Sequence, residues 1–149
     1  FIGGARQQSS ELLIQKSDGS FESFKNRIFS QDALFEDVDA DAFDFDLDGD
    51  LDIYVMSGGN EFVDGDSNLM DRLYINDGKA NFSKYPVRLP AYNGGAIAVS
   101  DFNNDGFDDI FLGSRSIPGS YGLSPFNANR VYLMNKPTIN GLINALPMR

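Results

Sequence analysis

Short runs of apolar residues, separated by polar turn residues, recur along the whole chain. Residues 11–15, 72–76 and 130–134 carry similar runs, with the cores Leu-Leu-Ile, Leu-Tyr-Ile and Val-Tyr-Leu. Residues 53–56 and 110–112 form two more, rich in β-branched and aromatic side chains. Such composition and length are typical of β-strands rather than helices. The pattern therefore predicts an all-β protein.

Turn residues between these runs predict where the strands reverse. Asp18-Gly19 and Asp77-Gly78 each follow one strand-like run and precede another, and Asp-Gly in this position is a strong hairpin signal. In the third copy, residues 135–138 (Asn-Lys-Pro-Thr) occupy the equivalent place. We expect the hairpin to be degraded or cut off there.

The runs group into a repeated unit of four strands. The first strand is Ala40–Phe43 or Ala96–Ser100, the second leaves an acidic loop, the third is the Leu-Tyr-Ile type, and the fourth covers 82–85. Four-stranded units repeated along a chain predict β-propeller blades, with a plain β-sandwich as the alternative. We expect one propeller segment over 1–149 of about two and a half blades, since a closed propeller needs at least about four. It would divide into a partial blade (1–30) and two blades (31–90 and 91–149).

The acidic loop is the stretch with the clearest candidate chemistry. Residues 44–52 (the first loop) place carboxylates at positions 1, 3, 5 and 9, a glycine at position 6, and a backbone carbonyl at position 7. Ca²⁺ binds six to eight oxygens, and a tight loop can supply several of them. The predicted ligands are the side chains of Asp44, Asp46, Asp48 and Asp52 and the carbonyl of Asp50, whose own side chain is expected to face water.

The pattern returns 57 residues later at 101–109 (the second loop). Position 12 is Val55 in one loop and Leu112 in the other, which excludes an EF-hand, because that loop needs a glutamate there. The alternative is that both loops are ordinary solvated turns, because Asp and Gly are common turn residues. We favour two calcium ions per chain, the second bound by Asp101, Asn103, Asp105, the carbonyl of Phe107, and Asp109.

Other charged residues have simpler interpretations. Asp64, Asp66 and Asp71 could hold a third, weak cation, but their spacing favours a polar loop. Asp37, Asp39 and Asp41 alternate along a predicted strand and are expected to be solvated. The arginines that begin the third strands, Arg72 and Arg130, are expected to pair with neighbouring aspartates.

Composition excludes several classes of function. The net charge of −10 and the pI of about 4.2 disfavour nucleic acid as a partner. Without histidine or cysteine, the chain has no Ser-His-Asp triad, thiolate or imidazole zinc ligand. Two bound calcium ions would reduce the formal charge to −6, so we expect calcium to stabilise the fold. No apolar run approaches the ~20 residues of a membrane span.

The residues at 44–52, 101–109 and 71–82 resemble the FG-GAP/VCBS repeats, which are calcium-binding blades of integrin α-subunits and of many secreted bacterial proteins. The resemblance implies a propeller of about seven blades, within the usual range. Residues 113–121 further resemble the subgroup of VCBS proteins that carry an ASPIC/UnbV domain. Since the chain begins at Phe1, we expect it to be a piece of a longer protein.

The function expected from these features is non-enzymatic. We expect a calcium-stabilised module that binds a protein or a polysaccharide through long loops such as 59–70 and 116–127. Its location would be secreted, periplasmic or cell-surface, and open blade edges suggest a homo-oligomer or the remainder of a longer propeller. The alternative is an accessory segment of a secreted carbohydrate-active enzyme whose catalytic residues lie elsewhere.

Overall fold

Three antiparallel sheets form the fold. The computed structural model describes residues 1–89, 91–115, 117–118, 130–132 and 145–147, the last two ranges by their backbone. These residues contain ten β-strands, one short α-helix and one 3-10 turn. Within these residues the chain is therefore all-β apart from the two short helical segments, as the apolar pattern predicted.

The predicted hairpin at Asp18-Gly19 is confirmed. Strands β1 (Leu12–Gln15) and β2 (Phe21–Phe24) pair in antiparallel register. Asp18 accepts hydrogen bonds from the backbone N–H and the hydroxyl of Ser20, and Gly19 adopts a φ of 83°. The turn therefore closes by local hydrogen bonds and a left-handed glycine.

Helix α1 (Arg27–Gln31) follows the hairpin and was not predicted from the sequence. Asn26 caps it by accepting a hydrogen bond from the N–H of Ile28 at 3.1 Å. The helix has only five residues, and its one fully buried residue is Phe29. A segment this short has too few residues to show a helical period, so its stability depends on burying Phe29.

The first four-stranded sheet is built around a strand that is buried along its entire length. Its spatial order follows the sequence, and β4 lies between β3 and β5. Alternate side chains of β4 enter different cores: Tyr54 and Met56 enter one, and Ile53 and Val55 enter the other. The strands are β3 (Asp37–Phe43), β4 (Asp52–Ser57), β5 (Arg72–Ile75) and β6 (Ser83–Lys84), with the 3-10 turn Ser67–Leu69 between β4 and β5.

The second four-stranded sheet repeats the first in both order and register. Phe43 pairs with Asp52 in the first sheet, and Ser100 pairs with Asp109 in the second. Both sheets also contain a register irregularity at the start of the first strand, between Asp37 and Asp39 and between Gly94 and Ala96. The strands are β7 (Gly94–Ser100), β8 (Asp109–Ser114), β9 (Arg130–Tyr132) and β10 (Ala145–Pro147).

Strand β10 shows that the hairpin of the third copy, expected to be degraded or cut off, is not cut off. This strand pairs with β9, so the second sheet has a fourth strand. The connection between β9 and β10 is longer than the Asp-Gly turns. Turn residues predict strands that pair across a short turn, so they did not predict β10. The predicted degraded turn at 135–138 lies outside the described residues.

Two hydrophobic cores lie between three packed layers. The first lies between the N-terminal segment (the β1–β2 hairpin with α1) and the first sheet, where Phe29 packs edge-on against Tyr74. The second lies between the two four-stranded sheets and contains Phe43, Phe45, Tyr54, Met56, Leu73, Leu89, Ile110 and Leu112. Each fully buried side chain of this size contributes roughly 1.5–3 kcal/mol. The first sheet is therefore packed on both faces.

Charged groups also connect the layers, and two of them were expected to be solvated. Asp37 forms an ion pair with Arg72 in which both side chains are only 3% exposed, and it accepts a hydrogen bond from the N–H of Gly4 at 2.8 Å. Asp39 accepts from the N–H of Ile97, on the second sheet, at 3.0 Å. The solvated interpretation is wrong for both residues, because each reaches a partner distant in sequence. The expected pairing of Arg72 with an aspartate is confirmed.

Asp71, directly before β5, is also buried. Its carboxylate accepts hydrogen bonds from the Tyr54 hydroxyl at 2.8 Å and from the N–H of Ser57 at 2.9 Å. Burial raises the pKa of Asp71 to about 7, although its two donors and the neighbouring Arg72 oppose the shift. The folded chain therefore binds a proton here that the unfolded chain releases near pH 3.8.

We predict that Gly94→Ala destabilises the packing between the two sheets. A Cβ on Gly94 would lie 2.2 Å from Cγ of the buried Met56 and 2.6 Å from the carbonyl oxygen of Ser57. Overpacking of this kind costs roughly 1–3 kcal/mol. Gly113→Ala is the matched control, since its Cβ would meet nothing closer than 3.5 Å. Urea unfolding of the two variants measures the difference, and equal midpoints would contradict the packing described.

We predict that Asp71→Asn flattens the pH dependence of stability. The stabilising contribution of the raised Asp71 pKa is complete below pH 3.8 and is lost as the pH rises towards 7. Asparagine stays neutral and keeps an acceptor for Ser57. The variant should therefore be more stable than the wild type at pH 8 by a few kcal/mol, since each tenfold change in proton affinity corresponds to about 1.4 kcal/mol.

The measurement is the free energy of unfolding of both proteins from pH 4 to pH 8 at one fixed calcium concentration. Loop carboxylates titrate in both proteins, so their effect cancels in the difference. A difference that does not change with pH would show that Asp71 is already ionised in the folded chain.

Candidate metal centre

Three carboxylates converge in the first loop. Asp44, Asp46 and Asp48 each offer an oxygen, and these oxygens lie within 4.8 Å of one another. The loop connects β3 to β4 at one end of the first sheet. The structure thus brings together the predicted ligands at positions 1, 3 and 5.

Backbone hydrogen bonds to Asp44 shape this loop. Its two carboxylate oxygens accept from the N–H groups of Asp48 at 3.1 Å and Gly49 at 3.0 Å. Leu47 and Gly49 adopt φ values of 62° and 96°. Glycine adopts such values without strain, whereas Leu47 does so at a cost of roughly 1–2 kcal/mol. The position-1 aspartate therefore holds a bend that the backbone would not adopt unaided.

The second loop has the same backbone conformation. Asp101 accepts from the N–H groups of Asp105 at 3.1 Å and Gly106 at 2.9 Å. Asn104 and Gly106 adopt φ values of 59° and 90°, at the positions of Leu47 and Gly49. The repeat seen in the sequence is therefore a repeat of loop geometry.

The two loops differ in the charge that they present. Asn103 stands at the position of Asp46, and its amide Nδ2 donates a hydrogen bond to Asp105 at 2.9 Å. Asp48 and Asp105 each accept from the N–H two residues later, at 3.2 and 3.0 Å. Ligation by these side chains and by the carbonyls of Asp50 and Phe107 stays a prediction. We also expect the more acidic first loop to bind calcium more tightly than the second.

The position-9 aspartates lie deeper than the other acids and close the loops. Asp52 is fully buried and accepts from the N–H of Phe45 at 3.0 Å and from that of Asn76 at 2.8 Å. Asp109, also fully buried, accepts from the N–H of Phe102 at 2.9 Å. Burial raises the pKa of Asp52 to about 6. Both remain predicted ligands, and each also ties the end of its loop to its beginning.

Asn76 is a residue of this site that the sequence analysis missed. It lies directly after β5, in the hairpin that follows the loop, and its bonds to Asp52 and Leu51, both distant in sequence, reveal its role. A weak signal exists in the sequence, since Asn76 directly precedes the Asp-Gly turn. Nothing in that position indicates which part of the chain it contacts.

The expectation that the Asp50 side chain faces water is wrong. Asp50 is half-buried, its Oδ1 is shielded from solvent, and no group in the described part of the chain donates a hydrogen bond to that oxygen. Burial, and then repulsion from Asp48, Asp46 and Asp44, raise the pKa of Asp50. The pKa of Asp46 is also raised, first by burial and then by Asp48.

These donors fit a hard divalent cation. Three converging carboxylates and one shielded, unpaired carboxylate oxygen are oxygen donors of the kind that Ca²⁺ and Mg²⁺ bind. Like charges at this separation repel one another, and a bound cation is often the largest opposing charge in such a site. The first loop therefore has both the ligand chemistry and the electrostatic need for an ion.

The candidate third cation site has a structural explanation. Asp66 caps the 3-10 turn by accepting from the N–H of Asn68 at 2.8 Å. Asp71 is directed instead to Tyr54 and Ser57 in the interior. Asp64, Asp66 and Asp71 do not form a converging group like that of the first loop, within the ranges described above. The polar-loop interpretation accounts for this segment.

Comparison with known proteins identifies the repeat. The family model described as FG-GAP-like repeat matches residues 44–112, from the start of the first loop into β8. The resemblance inferred from the loop motifs is thereby confirmed for this stretch, while the ASPIC/UnbV subgroup stays a prediction. No curated protein and no solved structure matches the chain. No helix in the described part is long and apolar enough to cross a membrane.

We predict that Asp52→Ala destabilises the chain even in a calcium chelator. The substitution leaves the N–H groups of Phe45 and Asn76 without their acceptor, and each buried unsatisfied group costs roughly 1–3 kcal/mol. Asp48→Ala is the control, since Asp48 is exposed and bonds only to its own loop in the hydrogen bonds described. Urea unfolding in chelator should separate the two variants by about 2 kcal/mol. Equal stabilities would mean that Asp52 acts only through a bound ion.

Proposed function

We propose that this chain, which carries an FG-GAP-like repeat over residues 44–112, is a non-enzymatic, calcium-binding segment of a β-propeller. The two four-stranded sheets would be two blades, and the β1–β2 hairpin would be half of a third. Face-to-face layering of the sheets and their common register support this assignment. Propellers are built by such repetition of four-stranded sheets.

The observation that carries the calcium proposal is the identical folding of two loops 57 residues apart. In each loop the position-1 aspartate accepts from the N–H groups at positions 5 and 6. The position-9 aspartate accepts from the N–H of the phenylalanine at position 2. Ordinary surface turns have no reason to share a left-handed residue, a left-handed glycine and a buried ninth-position acid. A common ligand gives such a reason.

Calcium would act mainly on stability. The loops connect the first two strands of each sheet. An ion in the first loop would oppose the effects of burial and of neighbouring carboxylates, which raise the pKa of Asp46 and Asp50. Any ion that binds the folded chain in preference to the unfolded chain stabilises it by mass action. The high net negative charge makes this contribution larger.

Binding of a protein or polysaccharide would use the ends of the sheets opposite to the calcium loops. Residues 58–71 connect β4 to β5 at that end and include Val63, which is 72% exposed. Loops held on a rigid scaffold are frequent sites of binding. A secreted, periplasmic or cell-surface location follows from the ion, because weak sites of roughly 10⁻⁴–10⁻³ M fill only where calcium is abundant.

We predict two calcium ions per chain by calorimetric titration. Asp48→Ala and Asp105→Ala should each bind one ion, and the double variant none, because each substitution removes the central carboxylate of one loop. Asp64→Ala is the acidic control in the polar loop and should still bind two ions.

Thermal melts in calcium and in chelator complete the test. The wild type should lose stability on chelation, each single variant less, and the double variant nothing. Absence of binding heat together with unchanged melting would overturn the calcium proposal, and the loops would then be ordinary acidic turns.

A further inference from the structure

The turn between β5 and β6 contacts the first loop from outside the nine-residue motif. This turn, residues 76–81, belongs to the hairpin that follows the loop and is 24 residues from Asp52 at its nearest bond. We propose that this turn supports the first calcium site, and that Asn76 is a positioning residue for the second half of the loop. The inference rests on the proposed calcium binding.

Asn76 makes two hydrogen bonds to consecutive residues of the loop. Its backbone N–H donates to Oδ1 of Asp52 at 2.8 Å, and its side-chain Nδ2 donates to the carbonyl oxygen of Leu51 at 3.1 Å. The first bond orients a predicted ligand carboxylate. The second fixes the peptide between Leu51 and Asp52, and so the chain direction at the end of the loop.

Gly78 brings the same turn against Asp50. A Cβ at Gly78 would lie 3.1 Å from Oδ2 of Asp50, so a larger residue would press on this carboxylate. Gly78 also has a φ of 73°, which glycine adopts most easily. Leu51 and Asp52 are therefore bonded to the turn and Asp50 lies beside it, whereas Asp44, Asp46 and Asp48 are not in contact with it through any bond described.

The turn can do this because it is organised by its own aspartate. Asp77 accepts from the N–H of Lys79 at 3.0 Å, from the N–H of Asn81 at 3.2 Å, and from Nδ2 of Asn81 at 2.9 Å. The strand that follows, β6, has only two residues, and both are exposed. The turn is thus ordered by its own hydrogen bonds, whereas the short strand β6 attaches it only weakly to the sheet. Its contacts with the first loop should therefore stabilise both the turn and the loop.

The bonds from the turn should affect both calcium affinity and the hairpin itself. Asn76→Ala keeps the backbone bond to Asp52 and removes the side-chain bond to the Leu51 carbonyl, which holds the peptide that leads into Asp52. Groups that position metal ligands from outside the coordination sphere typically contribute a factor of about 10–100 in affinity, so this loss should weaken binding at the first loop. Coupling between two sites is reciprocal, so calcium in the loop should in turn stabilise the hairpin. The second loop has no contact with this turn among the bonds described and should be insensitive to it.

The test isolates each loop by inactivating the other. In an Asp105→Ala background only the first loop binds calcium, and Asn76→Ala should reduce its affinity about 10-fold with a faster release of the ion into chelator. In an Asp48→Ala background, Asn76→Ala should leave the affinity of the second loop unchanged. Lys79→Ala, in the same turn but bonded only through its backbone N–H in the hydrogen bonds described, is the matched control.

A second variant and a second readout protect the test from misfolding. Gly78→Ala leaves Asn76 in place and should also weaken only the first loop. Amide exchange at Asn76 should slow on calcium addition in the Asp105→Ala protein but not in the Asp48→Ala protein, a response that general stabilisation would not confine to one background.

The outcomes separate the inference from the proposed function. If the wild type binds no calcium, the proposed function fails. If it binds two ions but Asn76→Ala changes neither affinity, the inference alone fails. Equal weakening of both loops by Asn76→Ala would also overturn it, since the substitution would then act on overall stability.

Discussion

Burial of aspartate carboxylates is the constraint on which this structure depends. Asp32, Asp52, Asp71 and Asp109 are all buried in a chain that already carries a net charge of −10. An isolated buried carboxylate is too costly to keep, so each requires donors or a cation. Asp32 illustrates the solution: it accepts from the Tyr74 hydroxyl at 2.7 Å and forms an ion pair with Lys84.

Some of these acids bond within one sheet, and others have donors in a different part of the fold and so join elements that pack across a hydrophobic core. Asp32 links the segment after α1 to β5 and β6, and Asp37 links β3 to Gly4, which precedes β1, and to β5. Breaking a buried ion pair by removing one partner typically costs about 3–5 kcal/mol, which exceeds the contribution of most single apolar contacts. Apolar packing therefore places the layers, and the acids fix their relative positions.

The sequence predicted the features that are encoded locally and missed those that depend on partners. The strands, the Asp-Gly hairpin and the two loops follow from periodicity and turn residues within about ten positions. The burial of Asp37 does not, because its partner Arg72 is 35 residues away. The same limit explains Asp50: its neighbours in sequence are acidic and suggest solvent, whereas Gly78, 28 residues later, lies beside it.

The comparison of the two loops separates the residues that set shape from those that set charge. The loops share aspartates at positions 1, 5 and 9, phenylalanine at position 2 and glycine at position 6, and these residues account for the common hydrogen bonds. They differ at positions 3, 4, 7 and 8. The first loop has the acids Asp46 and Asp50 at positions 3 and 7, whereas the second has an acid, Asp108, only at position 8 of these four. Since the backbone is unchanged by these replacements, the loop conformation does not depend on the extra acids. Those acids raise the electrostatic cost of the first loop without shaping it, and such a cost is offset when a cation occupies the loop.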